Sequence, residues 1–262
     1  MNFITKQLKY IFWFPISSKP KVEVYQEKIR NLEWDCIKQY IEKESTFLDV
    51  GCGAGYSMKR AISDLQCNVY GVDPSPGSHG VGRYNKFDFH ELPILKGTAE
   101  NLPFESSNFD VVYCSHVLEH VNLEDRALEE MNRVMKKNGV LIIGMPTSTM
   151  SFVAFLSHFF FNFHVILYNA VNRYRFNRDF SLFRFLFIPK SHSYPNQKYI
   201  FYDLFHYRIK GWKKTVSKHF EITKIIKPGL YPYPDFIQWF PLIKRFNLTS
   251  SVFFICTKIK NK

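Results

Sequence analysis

The stretch that most constrains this chain is Phe47-Leu48-Asp49-Val50-Gly51-Cys52-Gly53-Ala54-Gly55, an apolar run that ends in three alternate glycines and opens a helical segment. Glycine suits such a turn because a side chain would keep a ligand away from the loop backbone and from the exposed amides of the helix N-terminus. Tyr56 stands where a dinucleotide-type G-x-G-x-x-G turn would place its third glycine, which disfavours hydride-transfer chemistry. Asp73 closes the next apolar run, 22 residues after Gly51. A carboxylate at that place can accept hydrogen bonds from both hydroxyls of a ribose.

Around this turn, short β-rich runs alternate with helical ones. Strands are expected at 46–50, 68–72, 94–96, 109–114 and 140–145, and helices at 55–65 and 123–137, the latter capped by Gly139. A longer helix over 22–43 precedes them, with Val22, Tyr25, Ile29, Leu32, Cys36, Ile37, Tyr40 and Ile41 recurring every three or four residues. Such alternation implies an α/β fold with a parallel sheet covered on both faces. A helix at 210–218 and strands at 220–226 and 251–259 are expected to complete the sheet with an antiparallel edge. Five cysteines without a CxxC pair suggest neither a disulfide framework nor a zinc knuckle, and fit a reducing, cytoplasmic compartment.

Four blocks, FLDVGCGAGYS, VYGVDPS, GTAENLPFESSNFDVVYCSHVLEHV and MNRVMKKNGVLIIGMP, follow one another in order from Thr46 to Pro146. In these blocks the chain resembles the class I S-adenosylmethionine-dependent methyltransferases, particularly the small-molecule branch related to the ubiquinone and menaquinone methyltransferases. The resemblance implies a Rossmann-like seven-stranded sheet, mostly parallel with an antiparallel last strand, and S-adenosyl-L-methionine as cofactor. It implies that Asp49, Gly51, Cys52, Gly53 and Gly55 surround the methionine part, Asp73 the ribose, Thr98, Ala99 and Glu100 the adenine, and Ser115 and His116 the region under the sulfonium. Thr98 stands where the family often has Asp, and Pro74 to Gly82 replaces what is usually the start of a helix.

A sulfonium methyl is already activated, so the protein must align the acceptor, exclude water and remove a proton where the acceptor is a hydroxyl. Histidine suits proton removal near neutral pH. His120 and His116 are the catalytic candidates; His192 and His206 lie on segments that can fold over the site. His116, Glu119 and His120 also form HxxEH, a spacing known from a zinc protease group, but within this block no metal is expected.

Charge divides the chain. Residues 1–149 hold 17 basic and 19 acidic side chains, whereas residues 150–262 hold 18 and 4, together with 19 of the 27 Phe. Met150 to Val171 runs 22 residues without a formal charge, and Arg173, Arg175, Arg178 and Arg184 follow among further Phe. By length the run qualifies as a membrane span, but Ser157, His158, Asn162, His164 and Asn169 make it a poor one. An apolar, basic insertion facing an anionic membrane surface fits both features, with a lid or a dimer interface as the alternatives. Nucleic acid is the less favoured partner, since the segment after the fourth strand lacks the Asn/Asp-Pro-Pro-aromatic block of nucleobase amine methyltransferases. The expected organisation is an amphipathic arm at 1–20 (Ile4, Leu8, Ile11 and Phe12 on one face), a cofactor-binding core at 21–149, the insertion at 150–200 and completion of the sheet at 201–262. The expected function is methyl transfer to a small-molecule, glycan or lipid-linked acceptor at the inner face of the membrane. The alternatives are an RNA-directed methyltransferase and a non-catalytic scaffold that keeps the fold.

Overall fold

Runs such as Phe47-Leu48-Asp49-Val50 carry large apolar side chains on both sides of the strand, so they are stable only with a layer packed on each face of the sheet. The computed structural model describes residues 19–82, 91–153, 191, 193, 200–230 and 248–259. The arm up to residue 18, most of the insertion, His192 and most of the aromatic loop from Leu230 to Leu242 lie outside the described residues.

The chain order is α1 (Lys19–Ile37), β1 (Thr46–Val50), α2 (Tyr56–Leu65), β2 (Asn68–Asp73), β3 (Ile94–Lys96), β4 (Phe109–Ser115), α3 (Glu124–Val134), β5 (Met135–Pro146), α4 (Ile200–His206), α5 (Ile209–Val216), β6 (Phe220–Ile226) and β7 (Ser251–Lys258). The strands form one sheet in the order β3-β2-β1-β4-β5-β7-β6. β1 lies between β2 and β4, with Leu48 opposite Tyr70 and Val112, and these pairings are parallel. β7 alone runs against the others, pairing with β5 through Ile143 and Phe254 and with β6 through Ile225 and Phe254.

Alternation along the strands sorts the core into two layers. Phe47, Val111, Tyr113, Ile142 and Phe253 pack beneath α1 and α2, against Trp34, Ile37, Met58 and Ala61. Leu48, Val112, Leu141 and Phe254 face the other way, against Leu128 and Met131 of α3 and Trp212 and Val216 of α5. Trp212 is fixed further by its indole N–H, which donates to the Pro146 carbonyl at 2.9 Å where β5 ends.

Three expectations need correction. The helix expected over 123–137 ends at Val134, and Met135 already belongs to β5, paired with Phe109, while the next pair is Val140 with Val111. Lys136 to Gly139 therefore bulge out of the ladder. The Lys136 ammonium reaches the Asp110 carboxylate at 2.8 Å and Met135 is fully buried, so tertiary pairing overrides the helical pattern. Gly139 is not a cap but a close-packing position, where a Cβ would lie 3.0 Å from the Asp110 carbonyl oxygen. The helix expected over 22–43 gives way after Ile37 to a 3-10 turn at Lys38–Tyr40. The short helix α4 was not anticipated, because Ile-Phe-Tyr-Asp-Leu-Phe-His has the aromatic composition of a strand.

Among the described residues no helix is long and apolar enough to cross a membrane. Gly144 of β5 carries the ring of Phe253 directly above it, and a Cβ there would lie 2.4 Å from a ring carbon. Gly144→Ala is expected to cost about 1–3 kcal/mol through overpacking. A thermal midpoint unchanged by circular dichroism would show that the Phe253 ring is not held against the strand.

Candidate active site

The site is built where β1, β2 and β4 end. Gly51, Gly53 and Gly55 all have left-handed φ, of 74°, 55° and 78°. The turn is fastened to β2, because the Gly51 and Cys52 amides donate to the Val72 carbonyl at 2.7 and 3.2 Å. At Gly51 a Cβ would meet Val117 at 2.2 Å, and at Gly53 it would meet the His79 carbonyl oxygen at 2.6 Å. The segment after β2, a loop as its sequence suggests, lies against this turn: Ala54 N–H donates to the His79 carbonyl at 3.0 Å and Gly77 N–H to the Gly53 carbonyl at 2.9 Å.

Asp73 organises the turn. One carboxylate oxygen accepts the Gly53 N–H and the other the Ser75 N–H, each at 2.8 Å. An ionised carboxylate oxygen has two lone-pair directions, so each keeps capacity for a further donor. Two more hydroxyls are therefore within the chemistry of this group, which fits a ribose diol. Asp49 is also buried. Burial first, and then the neighbouring charge of Asp73, push its carboxyl up to about 8. Without a ligand Asp49 is thus largely neutral at pH 7. A cation brought beside it would favour ionisation and release a proton.

On the flank expected to meet adenine, Gly97 N–H donates to the Asp73 carbonyl at 3.1 Å and Asn101 N–H to that of Thr98 at 3.2 Å. Ala99 is buried between them. Glu100 accepts the Asn122 amide at 3.3 Å, which ties this flank to the turn beyond β4. Ser115 ends β4 opposite Gly144, with its hydroxyl buried.

After Ser115 the chain reverses. His116 adopts a left-handed φ of 57°, costly for a residue with a Cβ, while its amide donates to the Gly144 carbonyl at 2.9 Å. The turn presses Val117 onto Gly51 and leads into the 3-10 turn Leu118–His120. His116 Nε2 lies 3.3 Å from Glu33 of α1, and Nδ1 lies 3.6 Å from Glu119. Glu119 in turn stands 4.0 Å from His120 Nε2. These last two are ion-pair rather than hydrogen-bond distances.

The charges in this row support one another. Burial raises the Glu33 carboxyl, but Arg30, which is paired with it, and His116 more than offset that and hold it at about 2. Burial and Arg30 depress the His116 imidazole, yet the carboxylates of Glu33 and Glu119 outweigh both and keep it above its ordinary value. His116 is therefore set between two carboxylates, with both ring nitrogens facing them. The His120 side chain is 42% exposed, so it alone of the two histidines faces solvent.

His206 lies at the end of α4, exposed, with its Nδ1–H donating to the Tyr202 carbonyl at 3.0 Å and its ring stacked on Tyr202. Among the described residues no group of three or more His, Cys, Asp or Glu side chains is placed to hold a metal ion. Glu33 is the site residue that motif reading missed. The available signal was its position four residues from both Ile29 and Ile37, inside the apolar stripe of α1.

Residues 48–143 match the family model described as a methyltransferase domain. The ubiquinone/menaquinone biosynthesis C-methyltransferase UbiE of Campylobacter jejuni is 31% identical over 112 residues, 40% of this chain and 46% of that protein. The demethylmenaquinone methyltransferase of Staphylococcus saprophyticus is 34% identical over 105 residues, 39% of this chain and 45% of that protein. The tRNA U34 carboxymethyltransferase of Shewanella frigidimarina is 31% identical over 130 residues, 47% of this chain and 38% of that protein. The matched region spans less than half the length of each of these relatives. In fold, the chain is similar to a putative S-adenosylmethionine-dependent methyltransferase from Listeria monocytogenes, with a TM-score of 0.55 at 17% identity over 88% of this chain and 98% of that one.

Asp49→Asn tests the buried acid directly. A carboxyl raised on folding supports the fold fully below its ordinary value near 4, and that support is lost as pH rises towards about 8. In scanning fluorimetry without ligand, Asp49→Asn should therefore gain in melting temperature over the parent as pH goes from 5 to 8.5. A difference that stays constant with pH would refute the assignment.

Proposed function

We propose that this chain, whose residues 48–143 form a class I S-adenosylmethionine-dependent methyltransferase domain, transfers methyl groups to a hydroxyl of a small-molecule, glycan or lipid-linked acceptor at a membrane surface. The observation that carries the methyl-transfer reading is the turn of three left-handed glycines held by Asp73, with the neutral acid Asp49 behind it. Those residues fit a cationic, diol-bearing donor: Asp73 retains acceptor capacity for the ribose, and Asp49 is ready to ionise beside a positive charge. S-adenosylmethionine, when bound, supplies a methyl group activated by its sulfonium.

The chain's own contribution is orientation, water exclusion and proton removal. His120 is the group suited to accept the acceptor's proton, because it is partly exposed and backed by the buried carboxylate of Glu119. Glu33 and His116 act as positioning residues, holding Glu119 from the side away from solvent. The strongly basic second half of the sequence favours an acceptor presented at an anionic surface. An RNA acceptor is the second reading, favoured by the similarity to the tRNA-modifying relative.

Calorimetric titration with S-adenosylhomocysteine tests the reading. Binding is expected, and Asp73→Asn should weaken it at least about tenfold, or about 1.4 kcal/mol. No heat with the parent protein would sink the enzyme assignment in favour of a scaffold. His120→Gln is expected to leave that affinity unchanged while lowering methyl transfer about a hundredfold or more, read with radiolabelled donor and lipid, glycan and RNA extracts as acceptor pools. Equal transfer by both proteins would remove His120 from its role.

A further inference from the structure

α4 and α5 present an outer face that neither the sheet nor the site uses. Asp203 of α4 and Tyr207 just beyond its end are buried, whereas Phe201 and Phe205, four residues apart and so on one side of the helix, are 49% and 63% exposed. On α5, Trp212 and Val216 are buried, which turns Lys210, Lys213 and Lys214 outward. The two sets meet at Arg208, exposed between the helices, whose guanidinium sits 5.3 Å from the centre of the Phe205 ring. Phe152, 53% exposed, belongs to the segment leaving β5, which is tied to this region by Ser148 N–H donating to the Tyr207 carbonyl at 2.9 Å.

The charge of this face is one-sided. Residues 200–230 hold seven Lys and Arg against two acids, Asp203, which is buried, and Glu221. Of the acids of α3, Asp125 is taken up by Lys218 at 3.1 Å and His219 at 2.9 Å, and Glu124 feels the charges of Lys218 and His206. Exposed aromatic rings beside Arg208, Lys210, Lys213 and Lys214, which pair with no acid among the described residues, match a surface that offers negative head groups over an apolar layer. The uncharged, Phe-rich run of the sequence begins at Met150, in the segment that leaves β5 beside this face.

We propose that the outer face of α4 and α5 docks on an anionic phospholipid surface, with Phe201 and Phe205 entering the head-group boundary and Arg208, Lys210, Lys213 and Lys214 meeting the phosphates. This rests on the membrane-surface part of the functional reading and is independent of its methyl-transfer part.

Vesicle flotation of the full chain at low ionic strength tests it, using phosphatidylcholine alone and phosphatidylcholine mixed with phosphatidylserine. The parent is expected to float with the mixed vesicles and remain behind with the neutral ones. K213E/K214E should lower the floated fraction about tenfold or more, and F201S/F205S should make the remaining binding collapse on modest addition of salt. S-adenosylhomocysteine affinity, measured in parallel, should be the same in all three proteins, which separates loss of the face from loss of the fold and from failure of the methyl-transfer reading. No flotation of the parent, flotation that neither double variant changes, or capture of single-stranded RNA in place of vesicles would each overturn the proposal.

Discussion

One carboxylate holds the donor end of this protein together. Asp73 receives the amides of Gly53 and Ser75, so a single side chain fixes both the glycine turn after β1 and the loop after β2. A loop of glycines has the most conformational freedom to lose, and its shape depends on such fasteners rather than on its own side chains. The same charge has a second effect, since its proximity helps keep Asp49 protonated. The anchor of the loop is thus also what leaves a dormant acid behind it.

The buried acids at this edge of the sheet divide into two kinds, and their partners explain why. Among the described residues Asp49 has another acid, Asp73, for its charged neighbour and stays largely neutral, whereas Glu33 has Arg30 and His116 and stays ionised. A buried charge without a partner is expensive, so the neutral form is the economical state for Asp49 until a cation arrives. Glu33 and Glu119 instead flank the His116 imidazole, each facing one of its ring nitrogens. The two sides of the site thus differ in the charges set around their buried acids.

The glycine turn was legible in the sequence because its determinants are local. The glycines, Asp73 and the apolar runs that become β1, β2 and β4 stand in the order in which the fold uses them, and the strands at 94–96 and 220–226 coincide with those of the structure. What escaped was set by distant partners. Glu33 reads as one polar residue on a helix until His116, 83 positions later, is placed against it. Met135 reads as the end of a helix until Phe109 claims it for the ladder. α4 has the aromatic composition of a strand, and its form follows from burying Asp203 and Tyr207 while leaving two Phe outside. The nine positions from Pro74 to Gly82 were recognisable as a loop, but not as one whose carbonyl at His79 receives the amide of Ala54.

Topology links the two halves. β5 is parallel to β1 and β4 and ends at Pro146, on the same edge as the glycine turn, and Trp212 of α5 is bonded to that terminal carbonyl. The chain therefore leaves the sheet on the edge where open α/β folds hold their ligands, and α4 returns to it through Ser148 and Tyr207. Tyr207 extends the connection, since its buried hydroxyl is raised by burial and also feels the charge of Glu119, the residue that backs His120.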